Sequence, residues 1–210
     1  MPNYSLAIFD FDGTLADSFP WFIASLDQTA DHFGLNRVKP EEIEGLRELS
    51  SRDALHHLGV PMLKLPAISI YMHKLFAEGM HDIRLFPGAS DMLFALHDAG
   101  VKLALVSSNA EGNVRHVLGT PTAGIIDRYA CGSGLWGKAH KFGGVLRALR
   151  QSPARTIAIG DEIRDIDAAR QAGLTAGAMT FGYNSRRALE GRSPDHLFND
   201  YDDLKRAVLG

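Results

Sequence analysis

Short apolar runs, each closed by polar or glycine residues, recur along the 210-residue chain and constrain its fold more than any other feature. They are YSLAIFDFDG from residue 4, VKLALVSSN from 101, TIAIGDE from 156 and TAGAMTFG from 175. Runs this continuous suit strands covered on both faces, the usual condition of a parallel sheet. A weaker run, YACGSG from 129, and a short one, HLFND from 196, extend the set. Helix-like stretches separate the later runs, at 89–100, 141–151 and 164–173, with Gly100 and Gly173 placed as helix-terminating glycines. The alternation predicts an α/β fold with a doubly wound, Rossmann-like parallel sheet as the middle of three layers. Such sheets receive ligands beyond the carboxyl ends of the strands, where the strand order reverses.

Between Asp17 and Arg84 the rhythm stops. Amphipathic helical patterns take over, among them FPWFIASLDQTADHFGL and LPAISIYMHKLFAEGM, punctuated by Pro40, Pro61 and Pro66. The stretch is far too long for a simple crossover. It predicts a small helical cap domain at 17–84, inserted after the first strand, with 1–16 and 85–210 forming the core. A cap so placed can lie over the strand ends.

Bulk properties remove several functions. The net charge of −3, with no dense basic stripe, argues against a nucleic-acid partner. No apolar run reaches membrane-spanning length and no signal-peptide pattern opens the chain, so neither a membrane partner nor secretion is expected. Cys131 is the single cysteine, which rules out an internal disulfide and suits a reducing, cytoplasmic setting.

What remains is chemistry at the strand ends. The first run closes in Asp10, Asp12, Gly13 and Thr14, the second in Ser107, Ser108 and Asn109, and the fourth in Gly160, Asp161 and Glu162, with Asp165 one helical turn on. Lys138 and Lys141 precede the helix that leads to that strand. Clustered carboxylates without histidine or cysteine companions suit Mg²⁺ better than zinc. A metal and a lysine would offset their mutual repulsion, and a serine hydroxyl with a lysine ammonium can hold phosphate oxygens. One aspartate can then attack phosphorus while another serves as acid and base.

These residues, in this order, resemble the haloacid dehalogenase superfamily, and within it the phosphoglycolate-phosphatase-like members with a type 1 helical cap. The first motif, D-x-D-G-T, stands as Asp10-Phe11-Asp12-Gly13-Thr14; the second is LALVSSN at Ser107; the fourth, G-D-x-x-x-D, is GDEIRD at 160–165. For the third motif, a lysine, LWGKAHK offers Lys138, the preferred position, and Lys141. The resemblance covers essentially the whole core and extends to LFPGA at 85–89. It implies Asp10 as nucleophile and Asp12 as acid and base, with Ser107 and Lys138 on the phosphoryl group. It implies Mg²⁺ held by Asp10, Asp12 and Asp161, with Asp165 in support of the metal or the lysine. Gly13, Thr14, Ser108, Asn109, Arg47 and Lys141 complete the candidate substrate-binding set, Thr14 also reading as a local hydrogen-bonder. Glu162 departs from the family pattern, where many relatives carry serine or threonine.

The expected activity is hydrolysis of a small phosphate monoester, phosphoglycolate-like, through an aspartyl-phosphate. Asp12 argues against dehalogenase or phosphonate chemistry, since the family's members of those kinds lack an acid there. A phosphomutase of the β-phosphoglucomutase type would use the same intermediate. A receiver module fits less well, because receivers carry adjacent acids on the first strand and their acceptor on a later one. In the cap, Arg47, Arg52 and His56 are candidates for reading the substrate, and Tyr183 and Asn184 are candidate neighbours of the site from the closing segment.

Overall fold

The structure, a computed structural model, describes residues 1–132 and 137–210. Its core is a six-stranded sheet, parallel throughout, in the order β3-β2-β1-β4-β5-β6. The strands are β1 (Leu6–Phe9), β2 (Lys102–Leu105), β3 (Arg128–Tyr129), β4 (Thr156–Gly160), β5 (Thr175–Met179) and β6 (His196–Phe198). β1 and β4 are fully buried along their lengths, which is why their sequences read as unbroken apolar runs. The weak run from 129 contributes only Tyr129 to the two-residue β3; Ser133 and Gly134 of that run, and Leu135 and Trp136 of LWGKAHK, lie outside the described residues.

Helices cover both faces, giving three layers. Ala7, Phe9, Leu103, Leu105, Ile157 and Ile159 turn towards α5 (Ala89–Asp98), α6 (Glu111–Gly124) and α10 (Tyr201–Leu209). Leu6, Ile8, Ala104 and Ala158 turn the other way, towards α7 (Lys138–Leu149) and α8 (Ile163–Gln171). The alternation of neighbours along each strand is the period of two expressed as packing. Gly100 and Gly173 take the left-handed conformation after α5 and α8, at φ of 83° and 70°. α7 begins three residues before the stretch expected from the sequence, which brings Lys138 into its first turn.

The stretch after β1 is a helical cap: α1 (Phe19–Phe33), α2 (Pro40–Arg47), α3 (Ser51–His57) and α4 (Leu65–Gly79). α1 and α4 pack through Trp21 and Phe76, whose ring centroids lie 5.0 Å apart. Where the chain leaves and re-enters the core, two backbones run side by side. The Asp17 amide donates to Arg84 O and the Phe86 amide to Leu15 O, each at 2.9 Å. No helix among the described residues is long and apolar enough to cross a membrane.

Candidate active site

The strand order reverses between β1 and β4, and the acids stand at the carboxyl ends of those two strands. Register fixes their proximity: Phe9 is opposite Ile159, and the Asp10 amide donates to Ile159 O at 2.8 Å. Asp10 thus follows β1 and Asp161 follows β4 at the same level of the sheet.

Lys138, in the first turn of α7, joins the acids. Its Nζ lies 2.7 Å from Asp10 Oδ2 and 2.5 Å from Asp165 Oδ1, all three side chains being almost wholly removed from solvent. Asp10 Oδ1 accepts the Phe11 amide at 2.8 Å, which fixes the carboxylate plane. Asp165 Oδ2 accepts the amides of Asp161 and Glu162 at the start of α8, each at 3.1 Å. Asp161 accepts the Thr14 hydroxyl at 2.6 Å and the Tyr183 amide at 2.7 Å. A side chain on Gly13, whose φ is +74°, would put Cβ 2.2 Å from Asp161 Oδ2, so only glycine lets the first loop pass that close.

The electrostatics follow from burial. Asp10 is pushed up to about 7 by burial, against the pull of Lys138, and the Asp165 charge raises it further. Asp161 is raised well above the usual carboxylate range by burial, with Glu162, Asp10 and Asp165 adding to it. For Asp165 burial also disfavours the charge, but Lys138 and Arg164 overcome it and hold the group below its ordinary value. Burial opposes the Lys138 charge as well, and Asp10 and Asp165 reverse that, holding its ammonium above the usual lysine range.

Asp10, Asp161 and Asp165 each offer one oxygen, all within 4.8 Å of one another and all buried. An all-oxygen donor set whose members raise one another's proton affinity has the chemistry a hard divalent cation takes. Asp12 lies on the cap side of the cluster. Burial raises its carboxyl, against hydrogen bonds from Ser18 and Asn109, and its buried Oδ1 has no hydrogen-bond partner among the described residues. Ser107 is fully buried at the end of β2, its Oγ accepting the Asn109 amide at 2.9 Å. Ser108 and Asn109 line the space between core and cap.

Other candidates are placed differently. Lys141 turns away and donates to Cys131 O at 2.7 Å, so of the two lysines it is Lys138 that meets the acids. The Arg47 guanidinium is committed to Tyr183 O at 3.1 Å, Gly182 O at 3.0 Å and Glu44 at 3.0 Å, and it lies over the Phe19 ring. That makes it a clasp between cap and core rather than a free anion-binder. Arg52 and His56 are exposed. Thr14 and Gly13 shape and hold Asp161, so their part in the site is positional.

The strongest departures from the sequence reading lie along the cap–core seam. Glu162 faces the cap: it accepts the Ser51 hydroxyl at 2.6 Å and pairs with Arg164. Asn184 donates to Arg47 O and Leu49 O while its Oδ1 accepts the Ile163 amide, each at 2.8 Å. Arg164, absent from the candidate set, sits in the first turn of α8, where the helix dipole disfavours a cation. That misplaced charge, one residue before Asp165, is the sequence signal that could have drawn attention to it.

The family model described as haloacid dehalogenase-like hydrolase matches residues 7–179. A phosphoglycolate phosphatase of Synechococcus elongatus is 31% identical over 96% of this chain and 95% of its own length. Among solved structures, a haloacid dehalogenase-like family hydrolase of Streptococcus pneumoniae superposes with a TM-score of 0.79 at 21% identity, covering 96% of this chain and 97% of that one. CbbY of Rhodobacter sphaeroides, solved in complex with phosphate, superposes at 0.74 with 23% identity, covering 96% of each chain.

Proposed function

The chain belongs to the haloacid dehalogenase-like hydrolase family and is a phosphatase of it, and from that premise we propose that it is an Mg²⁺-dependent hydrolase of a small phosphate monoester, working through an aspartyl-phosphate on Asp10. Phosphoglycolate, the substrate in the name of the Synechococcus elongatus relative, is the first ester to consider. The observation that carries the reading is Lys138 bridging Asp10 and Asp165 beside Asp161, with Asp12 on the cap side. Residues 1–16 and 85–210 make the catalytic core and 17–84 the cap.

Asp10, Asp161 and the loop at Asp12 would hold the metal, with Asp165 in support. When bound, Mg²⁺ supplies positive charge that offsets the carboxylates and the phosphoryl oxygens. A carboxylate oxygen of Asp10 attacks phosphorus, and the bond from phosphorus to the ester oxygen breaks. Asp12 gives that departing oxygen a proton; burial, which raises its carboxyl, equips it to carry one. In the second half, Asp12 takes a proton from water as the water oxygen attacks the phosphoryl group. The acyl-phosphate P–O bond breaks, releasing inorganic phosphate and restoring Asp10. Lys138 and Ser107 steady the phosphoryl oxygens through both halves.

A phosphate-release screen over phosphorylated metabolites, with Mg²⁺ and then with EDTA, tests this. Release that needs the metal supports it. Indifference to EDTA overturns the metal assignment, and isomerisation of a sugar phosphate without phosphate release would replace hydrolysis by phosphomutase chemistry.

A further inference from the structure

Between cap and core lies a cavity of about 370 Å³. Its core side presents Asp12, Ser108, Asn109 and Arg164, while α1, α3 and α4 of the cap supply walls that include Phe22, Leu26, Leu55, Ile68 and Met72. We propose that this cavity is the leaving-group subsite and that it takes an apolar body: the preferred substrate is a phosphate monoester of a branched alkyl or aryl alcohol, larger than a two-carbon acid. The inference rests on the phosphatase reading, in which Asp12 protonates the departing oxygen and the leaving group therefore lies on its side.

Three observations converge. The cavity falls in the range of pockets that enclose ligands of drug size, roughly 300–1,000 Å³, more than a glycolyl group fills. Its walls then offer little for a carboxylate. Among the described residues no lysine lines it; of its basic side chains Arg47 has donors on Tyr183 O, Gly182 O and Glu44, Arg164 pairs with Glu162 at the core end, and His73 stands on α4, on the cap wall. The Thr29 hydroxyl, also on the wall, folds back to Ser25 O at 2.8 Å. An anionic leaving group pushed among walls so largely apolar would lose most of its hydration.

Polarity is instead concentrated at the phosphoryl end. Asp12 Oδ1 and Arg164 Nε are the two buried side-chain polar atoms without a partner among the described residues, and both residues face this one cavity. An ester oxygen can accept from Arg164 Nε, and a protonated Asp12 can donate to the departing oxygen. The site therefore offers a polar mouth for the phosphate and an apolar chamber for what the phosphate is attached to.

The test compares kcat/KM for 3-methylbutyl phosphate and phenyl phosphate with that for phosphoglycolate, and titrates hexylphosphonate against methylphosphonate by calorimetry. The expected result is at least a tenfold preference for the apolar esters, with hexylphosphonate binding at least tenfold tighter. Ala54→Phe, which adds a ring to the cavity wall, should bring both ratios down towards one. Hydrolysis that favours phosphoglycolate, with equal binding of the two phosphonates, overturns the inference and leaves the phosphatase reading standing. If no ester is hydrolysed, the phosphatase reading fails, and the phosphonate titration alone then decides: a tenfold preference for the hexyl compound upholds the apolar chamber, and equal binding sinks it.

Discussion

The hydroxyl of Ser51, in the cap, donates to Oε2 of Glu162, in the core, at 2.6 Å, and the other carboxylate oxygen of Glu162 is paired with Arg164. The cap is thereby tied to the residue directly after Asp161, so closure and the acid cluster share a hydrogen-bond chain.

Ser51→Ala removes that tie without touching an acid. A single net hydrogen bond contributes about 0.5–1.5 kcal/mol, so kcat/KM is expected to fall by roughly two- to tenfold. The melting temperature should fall by no more than about 6 °C, because only this one bond is lost and the sheet is untouched. Steady-state kinetics beside a thermal melt check this; unchanged kcat/KM would show that the contact does not contribute to closure.

Lys138 and Lys141 separate cleanly. Removing the first leaves Asp10 and Asp165 buried without their shared cation, and breaking a buried pair in this way costs about 3–5 kcal/mol. Lys138→Ala is therefore expected to lower stability by that amount and to abolish turnover. Lys141→Ala loses a bond to a backbone carbonyl and should cost no more than about 1.5 kcal/mol while retaining activity. Urea unfolding and phosphate release measure both.

Asp10→Asn should eliminate turnover, by at least about a thousandfold, because an amide cannot form the acyl-phosphate. The fold should persist: Lys138 keeps Asp165, and the near-isosteric side chain no longer buries a charge beside other acids. Wild-type activity in this variant would refute the nucleophile assignment.

Stability should depend on pH in an unusual direction. Asp10 and Asp161 have folded-state values raised above their unfolded ones, by burial first. In the folded chain they therefore hold protons that the unfolded chain has already released. The unfolded state binds fewer protons between the ordinary carboxylate range and about 7, so these groups make stability fall as pH rises through that window. Asp165, whose value is lowered, acts oppositely, its contribution being lost as pH falls below the ordinary carboxylate range. With chelator, the melting temperature should decline from pH 5 to pH 7. Added Mg²⁺ should flatten that slope, because a bound cation favours the ionised carboxylates. A slope indifferent to Mg²⁺ would argue against a metal at these acids.

The parallel strands were legible because β1 and β4 are buried on both faces and so carry no polar alternation. α6 left a weaker trace: Gly119, at φ 73°, and Pro121 break its pattern, and core packing of Val114 and Leu118 before the kink and of Ala123 after it holds the halves in place. In the site, Asp10, Asp12, Asp161 and Asp165 announce themselves by local spacing at strand ends. The seam does not. Ser51 with Glu162 and Asn184 with Leu49 are joined across 111 and 135 positions of sequence, and no periodicity records such a meeting. Arg47 was visible as a cap arginine, but its destination was not, because the carbonyls it holds belong to a loop after β5.

The paired backbones at Leu15–Asp17 and Arg84–Phe86 have a consequence beyond holding the cap in place. To the sheet, the whole helical insertion presents itself as a tight hairpin, its two ends already side by side. Loop-closure entropy rises only with the logarithm of length, so lengthening, trimming or exchanging what lies beyond that junction strains the core very little. On the function proposed above, substrate choice and phosphoryl chemistry can then diverge separately, one in the exchangeable third of the molecule and the other in the core that must stay fixed.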